Sequence, residues 1–337
     1  MERKKIIIFG ASGNVGSYLL KYALDFFDKE KYEVIASGKR KTNAFDKLGV
    51  EYYSIDLSVK ESFSVLPTEN IHAVILLSAK IPSYMVDYNA RDYVESIIMG
   101  GFNVLEWCRE IKVDRVLYTQ TVYDLSEYNS GVVLKPNMPA KFSYTGDHAA
   151  YVISKNTILE FLKHYHCEYG IKTFIFRLPT IYNYSQYQYY FPNGIKTLRP
   201  VYDMINKAIH GETIELWGNP DYSKDMVYVD DFSQMICKAV LVDLEHGIYN
   251  VGTGVPVTLE EQIKTIIDVF SPEENKSKII YRPEKKSGGG FLMDISNAKE
   301  ELGYEPHYTC RMLFECYKNE MEINRFAELR DRDNINN

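Results

Sequence analysis

The chain has 337 residues, of which 45% are hydrophobic and 25% are charged. This balance is ordinary for a folded globular protein, and it excludes an intrinsically disordered chain, which has fewer apolar residues and more net charge. The 39 basic and 46 acidic residues leave a formal charge of −7, so no basic surface for nucleic acid is expected. The length suffices for one large domain or two interlocked domains.

The sequence also bears on the compartment. No apolar run approaches the roughly 18 residues that a membrane span requires, and the apolar run near the N-terminus is too short for a secretory signal. The five cysteines are scattered and include no C-x-x-C pair. This pattern predicts neither a disulfide framework nor a metal site, and it indicates a cytoplasmic protein.

The first half of the chain alternates short apolar runs with amphipathic stretches. Strands are predicted at residues 5–9, 33–36, 50–55, 73–77, 115–119 and 172–177, and helices at 15–27, 93–109 and 151–165. Strands that alternate with helices pair in parallel through right-handed crossovers. Residues 1–180 are therefore predicted to form a Rossmann-type, doubly wound parallel sheet that binds NAD(P).

The pattern changes after residue 180, and a smaller C-terminal α/β substrate lobe is predicted over residues 181–325. Its predicted elements are an irregular stretch at 182–200, a helix at 201–210, a helix at 258–270 that Thr258 caps with Glu261 three residues on, a helix capped by Asp230 and Asp231, and strands at 213–217, 226–228 and 248–251. The stretch 225–255 is expected to return to the first domain. Residues 287–290 are predicted as a loop, and residues 326–337 as a polar tail that frays.

A glycine motif lies between the first predicted strand and the first predicted helix. Gly10, Gly13 and Gly16 follow a G-x-x-G-x-x-G spacing. Such a turn lets backbone N–H groups approach a pyrophosphate, and the helix N-terminus adds a favourable dipole. The candidate cofactor-binding residues here are Gly10, Ser12, Gly13, Asn14, Val15 and Gly16.

The end of the second predicted strand bears on the choice of cofactor. An acidic residue there would bind the ribose hydroxyls of NAD, whereas a basic residue would accommodate the 2′-phosphate of NADP. The chain carries Lys39 and Arg40 and no acid, which favours NADP and leaves NAD open. Asp56, after the third strand, either accepts a hydrogen bond from adenine or caps a turn.

Tyr151 and Lys155 form a second constellation. They are four residues apart and share one face of a predicted helix. A free tyrosine has a pKa of ~10, and a nearby ammonium favours the phenolate that would act as a base. Thr119, at the end of the fifth predicted strand, is a candidate hydrogen-bond donor to the substrate oxygen. Thr121 is the competing candidate.

Three motifs in this order resemble the extended short-chain dehydrogenase/reductases, the NAD(P)-dependent sugar epimerase and dehydratase group. They are Gly10-x-x-Gly13-x-x-Gly16, Thr119-x-x-Val122-Tyr123 and Tyr151-x-x-x-Lys155. The resemblance extends over nearly the whole chain. It implies Thr119, Tyr151 and Lys155 as the catalytic trio, with Lys155 also holding the nicotinamide ribose.

The resemblance implies further site residues and an assembly state. In the cofactor cleft these are Ser78, Ala79 and Pro179, the last against the nicotinamide carboxamide, and Asp56 and Leu57 are further candidates for binding the cofactor. Lys224 and Arg282 occupy the positions that touch the diphosphate in members that act on nucleotide sugars. Lysine binds a phosphate only as a point charge, and both residues are equally consistent with ordinary surface charges. A homodimer formed through a helix pair is also implied.

Departures from the family pattern narrow the chemistry. Sugar 4,6-dehydratases of this family place acidic residues directly after the catalytic threonine, where this chain has Gln120 and Thr121. A 4,6-dehydratase is therefore disfavoured. Asp124 replaces the usual glycine, and Ile97 replaces the usual asparagine, which predicts an altered mouth of the active site.

The functional hypothesis is hydride transfer at a secondary carbon of a sugar, most simply one activated by a nucleotide. An epimerase and an NADPH-dependent 4-keto-sugar reductase both fit the motifs. A dehydratase that recruits its acid or base elsewhere and a non-catalytic NADP-binding sensor are the alternatives. The intact threonine, tyrosine and lysine set argues against a sensor, which has no need of them.

Overall fold

One parallel sheet organises the fold, and small two-stranded pairs surround it. The computed structural model describes residues 2–82, 88–129, 131–185, 188–192, 195–286 and 290–329. The strands are β1 (Lys4–Phe9), β2 (Tyr32–Gly38), β3 (Tyr52–Ser54), β4 (Ile71–Leu76), β5 (Arg115–Thr121), β6 (Val133–Leu134), β7 (Lys172–Leu178), β8 (Ile181–Tyr182), β9 (Tyr189–Tyr190), β10 (Thr197–Leu198), β11 (Ile214–Trp217), β12 (Ser223–Asp225), β13 (Val227–Tyr228), β14 (His246–Asn250), β15 (Pro256–Thr258), β16 (Ile279–Arg282) and β17 (Leu292–Met293). The helices are α1 (Asn14–Phe26), α2 (Ala90–Tyr93), α3 (Gly100–Glu110), α4 (Asp147–Tyr169), α5 (Pro200–Ile209), α6 (Val229–Leu241), α7 (Leu259–Phe270), α8 (Ser296–Leu302) and α9 (Cys310–Ile323).

The seven-stranded sheet has the order β3-β2-β1-β4-β5-β7-β14, and every pair in it is parallel. The order reverses between β1 and β4, and ligands of doubly wound sheets bind at the carboxyl ends of the strands beside such a reversal. This confirms the predicted Rossmann-type fold. β14 brings the chain back to the sheet beside β7.

Helices cover both faces of the sheet, which explains why its strands are apolar at successive positions. Ile6 and Ile8 of β1 belong to a cluster that includes buried residues of α1 and α6. Ile7 and Phe9 belong to a second cluster, which includes buried residues of α3 and α4. The carboxyl edge of the sheet is left as the place where a ligand can approach.

The helix predicted over residues 93–109 is divided in the structure. α2 ends at Tyr93, a π-helical stretch covers Val94–Met99, and α3 begins at Gly100. The glycines at the start of α3 permit close packing, because a Cβ on Gly101 would lie 2.8 Å from the side chain of Ile158. α4 and β5 also extend beyond the predicted bounds.

Of the two helix caps predicted in the second lobe, the structure confirms one and contradicts the other. The Thr258 hydroxyl accepts a hydrogen bond from the N–H of Glu261 (3.0 Å) at the start of α7, as predicted. No side chain caps α6, so the prediction for Asp230 and Asp231 is wrong. Asp231 instead accepts from the backbone N–H of His307 (2.8 Å), because a buried carboxylate in the first turn is within reach of this later segment.

The end of the described chain also differs from its prediction. Phe326 and Leu329 are buried rather than part of a fraying tail, and the Phe326 ring packs edge-on against Tyr18 of α1. Residues 330–337 and 287–289, parts of the predicted tail and loop, lie outside the described residues. No helix within the described ranges is long and apolar enough to cross a membrane.

A buried ion pair joins the loop after β5 to β7. Arg177 donates through Nε to Oδ1 of Asp124 (3.0 Å), and both side chains are at most 5% exposed. Arg177 also donates to the Pro136 carbonyl (2.9 Å) and to Oδ1 of Asn250 (3.1 Å). Asp124 therefore neutralises a buried guanidinium. The prediction that it alters the mouth of the active site is wrong, because its side chain is buried.

We expect Asp124→Ala to lower the free energy of unfolding by about 3–5 kcal/mol, because it leaves the Arg177 charge buried and unpaired. Urea unfolding monitored by circular dichroism measures this. Glu127→Ala, an exposed carboxylate three residues along the chain, is the matched control and should change the value by less than about 0.5 kcal/mol. Equal, small effects of the two variants would contradict the assigned role of the pair.

Candidate active site

The glycine loop forms a close turn at the carboxyl end of β1. The N–H groups of Gly10 and Ala11 both donate to the Ser37 carbonyl (2.8 and 2.9 Å). Gly10 has a φ of +96°, and a Cβ there would lie 2.9 Å from the backbone nitrogen of Ser78. A Cβ on Gly16 would lie 2.1 Å from the Gly10 carbonyl oxygen. The chain can fold this tightly only with glycine at these two positions.

This loop fits the pyrophosphate of a dinucleotide. No side chain caps the first turn of α1, where Gly13 is the N-cap residue. Uncapped N–H groups at a helix start bind anions through hydrogen bonds and the helix dipole. Val15 is half-buried against the core, while the Asn14 side chain hydrogen-bonds to that of Asn183 (3.0 Å). Asn183, which the sequence analysis missed, ties the glycine loop to the segment after β7.

Gly38, at the end of β2, is closely surrounded, so a side chain there would require its neighbours to shift. A Cβ on Gly38 would lie 2.2 Å from the Ser12 hydroxyl and 3.0 Å from that of Tyr52. The cations that follow are both engaged: the Lys39 ammonium lies 2.7 Å from Asp56, and the Arg40 guanidinium donates to the Leu329 carbonyl.

Asp56 also caps a turn. Its Oδ1 accepts from the N–H (3.1 Å) and the hydroxyl (2.8 Å) of Ser58. Of the two roles left open for Asp56, the structure shows the turn cap. The neighbouring Leu57 packs beside Gly100, and its carbonyl accepts from Asn103 (2.8 Å).

The other residues predicted for the cofactor lie at the carboxyl ends of the strands. Ser78 follows β4 and touches Gly10. Ala79 packs against the cluster beneath α3 and α4. Pro179 follows the last residue of β7 and is half-buried.

Lys155 lies on the buried face of α4, with 2% of its surface exposed. Its ammonium donates to the carbonyl oxygen of Thr119 (2.7 Å) and lies 4.7 Å from the centre of the Tyr118 ring. Burial without a carboxylate partner lowers the lysine pKa to about 7. The structure therefore couples the lysine to the backbone of β5.

Tyr151 lies on the same helix face, and the Lys155 ammonium is 6.0 Å from the centre of its ring. Burial raises the tyrosine pKa to about 12, and a hydrogen bond with the Thr121 side chain opposes that rise. The Thr119 hydroxyl instead donates to the Leu76 carbonyl (3.3 Å). Of the two candidate threonines, the structure brings the Thr121 hydroxyl to Tyr151 and the Thr119 carbonyl to Lys155.

Gln120 joins the same strand to α4. Its amide donates to Oδ1 of Asn156 (2.5 Å) and accepts from the N–H of Thr121 (2.9 Å). The side chain is 2% exposed. A neutral, hydrogen-bonded amide at this position cannot serve as a carboxyl acid or base.

The candidate substrate residues lie in the second lobe. The Lys224 ammonium lies 5.7 Å from the centre of the Tyr182 ring. Arg282 forms an ion pair with Glu215 (3.1 Å) and stands beside Trp217 at the ends of the paired strands β11 and β16. The sequence analysis missed Trp217, which is 47% exposed; an aromatic residue at the end of a predicted strand is the signal that would have indicated it.

A second aromatic group lies near Tyr151. The Tyr123 ring lies 4.3 Å from that of His148 and 6.2 Å from that of Phe291. Tyr123 is 40% exposed and follows β5, so it borders the cleft. Within the residues that the structure describes, no group of His, Cys, Asp and Glu side chains is arranged to hold a metal ion.

The depressed pKa of Lys155 predicts a pH-dependent stability difference. Between pH 7 and 10.5 the folded lysine is neutral while the unfolded lysine is charged, so the unfolded chain binds more protons and raising the pH stabilises the fold. Lys155→Met lacks this dependence. We expect the unfolding free energy of Lys155→Met to exceed that of the unaltered protein by an amount that is largest near pH 7 and shrinks towards pH 10.

Urea unfolding at several pH values within this range measures that difference. Lys163→Met, an exposed lysine on the same helix, is the control, and its difference from the unaltered protein should stay constant. A pH-independent difference for Lys155→Met would mean that the buried lysine keeps an ordinary pKa.

Comparison with known proteins finds relatives that are themselves named as epimerases of UDP-sugars. It is 23% identical to the UDP-glucuronate 4-epimerase of Thermodesulfobacterium geofontis over 312 residues, which cover 89% of this chain and 90% of that protein. The UDP-glucose 4-epimerase of Thermotoga maritima, solved with UDP-glucose, superposes with a TM-score of 0.75 at 19% identity, covering 95% of this chain and 99% of that one.

A third comparison gives the same fold. The UDP-glucuronic acid 4-epimerase of Bacillus cereus, solved with NAD, has a TM-score of 0.71 at 18% identity and covers 95% of this chain and 99% of that one. The profile of the NAD dependent epimerase/dehydratase family matches residues 6–252. The resemblance drawn from the three motifs is thereby confirmed: the chain belongs to the NAD dependent epimerase/dehydratase family.

Proposed function

We propose that this protein is an NAD(P)-dependent epimerase of a nucleotide-activated sugar. The observation that carries the proposal is the placement of Tyr151 over the buried Lys155, at the same sheet edge as a glycine loop that fits a pyrophosphate. The family relationship and the UDP-sugar epimerases among the similar proteins support the same reaction class.

The chain supplies the proton chemistry of this reaction. A bound nicotinamide supplies the hydride acceptor and, in the return step, the donor. The Tyr151 oxygen takes the proton of a sugar hydroxyl while the carbon is oxidised, and it returns that proton after the sugar has presented its other face. Lys155, when protonated, favours the phenolate form of Tyr151, and the Thr121 hydrogen bond acts in the same direction.

NADP is the proposed cofactor, and NAD is the alternative. The absent acid at Gly38 and the cations at Lys39 and Arg40 support NADP. The structural neighbour from Bacillus cereus was solved with NAD, which supports the alternative. The backbone of Gly10 to Gly16, with Ser78 and Lys155, would hold either one in the same place.

The nucleotide end of the substrate is assigned to the second lobe. Trp217 offers an exposed ring on which a nucleobase can stack. Arg282 stands beside it, and Lys224 supplies a further positive charge for a diphosphate. The ion pair of Arg282 with Glu215 is partly exposed, with the two side chains 42% and 31% accessible, so exchanging it for a phosphate costs little.

A 4-keto-sugar reductase is the second candidate, favoured by the basic end of β2, because NADPH is the usual reductant of such a step. A dehydratase would need an acid or base other than Gln120, whose amide is engaged with Asn156. A cofactor sensor would need neither Tyr151 nor Lys155.

A homodimer is part of the proposal. The resemblance implies assembly through a helix pair. Val94 and Met99 of the π-helical stretch and Ile153 of α4 are exposed apolar residues, and we propose that the dimer covers them. The cytoplasmic location stays a prediction from the cysteine pattern.

The first test compares the unaltered protein with Tyr151→Phe. Denaturing the purified protein and identifying the released nucleotide gives the resident cofactor, and incubation with UDP-glucose or UDP-glucuronate without added reductant measures C4 epimerisation. We expect Tyr151→Phe to lose about 100-fold or more in kcat, as removal of a general acid–base group does, while binding cofactor as before.

The outcomes separate the candidate functions. Turnover that requires stoichiometric NADPH would replace the epimerase by the reductase. Equal turnover in Tyr151→Phe would overturn the assignment of the base. Lys163→Met, on the exposed face of the same helix, serves as the control and should keep its activity.

The two threonines are distinguished by their pH profiles. Because the Thr121 hydrogen bond holds down the pKa of Tyr151, we expect Thr121→Val to shift the ascending limb of the kcat–pH profile for sugar oxidation to higher pH. Thr119→Val, which removes a hydroxyl bonded to Leu76, should leave that limb in place. The reverse result would restore Thr119 to the role that the family resemblance implies.

A further inference from the structure

Gln120 and Asn156 form a hydrogen-bonded pair of side-chain amides, here termed the amide pair, between β5 and α4. The Gln120 amide nitrogen donates to Oδ1 of Asn156 (2.5 Å), and the Gln120 amide oxygen accepts from the backbone N–H of Thr121 (2.9 Å). Gln120 is 2% exposed. A buried amide is tolerated when its hydrogen bonds are made, so the amide pair favours one relative arrangement of the strand and the helix.

The amide pair acts where the strand ends. Thr121 is the last residue of β5 and lies opposite Leu178, the last residue of β7. The Thr121 N–H donates to the side chain of the preceding residue, and beyond it the chain turns into a short 3-10 helix at Val122–Leu125. The position of Thr121 is therefore set by a side chain as well as by the sheet.

The Thr121 hydroxyl is oriented by the same stretch of backbone. Its oxygen accepts from the N–H of Tyr123 (3.3 Å), which directs the hydroxyl proton to the Tyr151 oxygen, the other partner of this side chain. A hydrogen bond donated to the tyrosine oxygen favours the phenolate, and it opposes the rise in the Tyr151 pKa that burial causes. This bond requires the end of β5 to stay close to α4.

Further hydrogen bonds attach α4 to β5, and they are centred on Lys155. The Tyr118 hydroxyl donates to the Lys155 carbonyl (3.2 Å), and the Lys155 ammonium donates to the Thr119 carbonyl (2.7 Å). The amide pair attaches the two elements one residue further along each of them. Bonds centred on a single residue leave a helix able to pivot about it, whereas a second attachment resists that movement.

We propose that Gln120 and Asn156 are positioning residues for the proton transfer: the amide pair keeps the Thr121 hydroxyl within hydrogen-bonding distance of the Tyr151 oxygen. The inference rests on the proposed function in taking Tyr151 as the group that exchanges a proton with the sugar. Both amides act through Thr121 and need no contact with substrate or cofactor. A neutral amide suits this role, because it fixes the strand without placing a further charge beside the phenolate.

Changes in the amide pair leave the titratable groups around Tyr151 in place. Among the described residues these groups are Lys155 on the same helix, Tyr93 of α2, Tyr118 of β5, and Tyr123 after β5 with His148 packed on its ring. Replacing an amide by an apolar side chain changes no charge at the site. A shifted pKa of Tyr151 would therefore report the hydrogen bond from Thr121.

The kcat–pH profile for sugar oxidation tests the proposal, with UDP-glucose or UDP-glucuronate as substrate, whichever the unaltered protein epimerises. We expect Asn156→Ala and Gln120→Leu each to move the ascending limb to higher pH by about 0.5 pH unit, part of the effect of one hydrogen bond. Below the limb this lowers kcat by about threefold, while kcat above the limb and KM stay unchanged. Urea unfolding checks that each variant is folded, and Asn156→Ala, at a half-buried position, decides alone if Gln120→Leu is not.

A double variant shows whether the amide pair acts through Thr121. Thr121→Val removes the hydroxyl, so adding Asn156→Ala to it should move the limb no further, because both changes act on the same bond. Thr157→Ala is the matched control. It removes a hydroxyl from the next residue of α4, where that hydroxyl donates to the Ile153 carbonyl within the helix (2.9 Å), and it should leave the limb in place.

Each outcome decides the inference. A fall of kcat at every pH with an unmoved limb would mean that the amide pair only supports the fold, and would overturn the proposal. A further shift of the limb in the double variant would overturn it as well, because Asn156 would then act by a route other than Thr121. If the unaltered protein converts neither nucleotide sugar, the proposed function fails and the inference falls with it. An active protein whose profile is matched by both amide variants removes this inference alone.

Discussion

The burial of the Lys155 ammonium is the constraint on which the site depends. A lysine with 2% exposure and a backbone carbonyl as its hydrogen-bond partner is expensive to bury as a cation, and its pKa falls to about 7. The fold tolerates this because α4 crosses the end of β5 closely enough to bring the Thr119 carbonyl within 2.7 Å. The same crossing sets Tyr151 beside Thr121 and Gln120 beside Asn156. The chain thus gives up stability at a place where a shifted pKa serves chemistry.

The cleft is shaped by contacts between segments that are distant in the chain. Asn14 of the glycine loop contacts Asn183, and the Tyr18 hydroxyl of α1 donates to the Tyr184 carbonyl (3.1 Å). These bonds attach the segment after β7 to the helix that follows the glycine loop. On the far side, Asp225 accepts from the N–H groups of Thr253 and Gly254 (2.6 and 3.0 Å) and joins β12 to the loop after β14. These hydrogen bonds therefore connect segments that are far apart in the chain, while the Trp217 and Tyr123 side chains are 47% and 40% exposed.

The carboxylates show where reasoning from local sequence fails. Asp230 and Asp231 occupy the first turn of α6, where acids are typical caps, yet Asp231 binds the backbone of His307 and Tyr308. Asp124 departs from the family pattern, and it neutralises Arg177 in the interior. A carboxylate can satisfy a helix end, a distant N–H group or a buried cation equally well, and only packing decides which of these is within reach. Thr258, whose partner Glu261 lies three residues away in the same helix, was predicted correctly because its bond is local.

The sequence by itself determined the parallel sheet, the glycine turn and the shared helix face of Tyr151 and Lys155. Each of these follows from periodicity or spacing within one or two adjacent elements, where backbone geometry fixes the outcome. Only the tertiary structure decided which threonine hydroxyl meets Tyr151, that Arg177 takes Asp124 as its partner, and that Leu329 holds Arg40. These pairs join residues 30 to 289 positions apart. Their formation depends on how helices and strands pack in three dimensions, which no local pattern of side chains encodes.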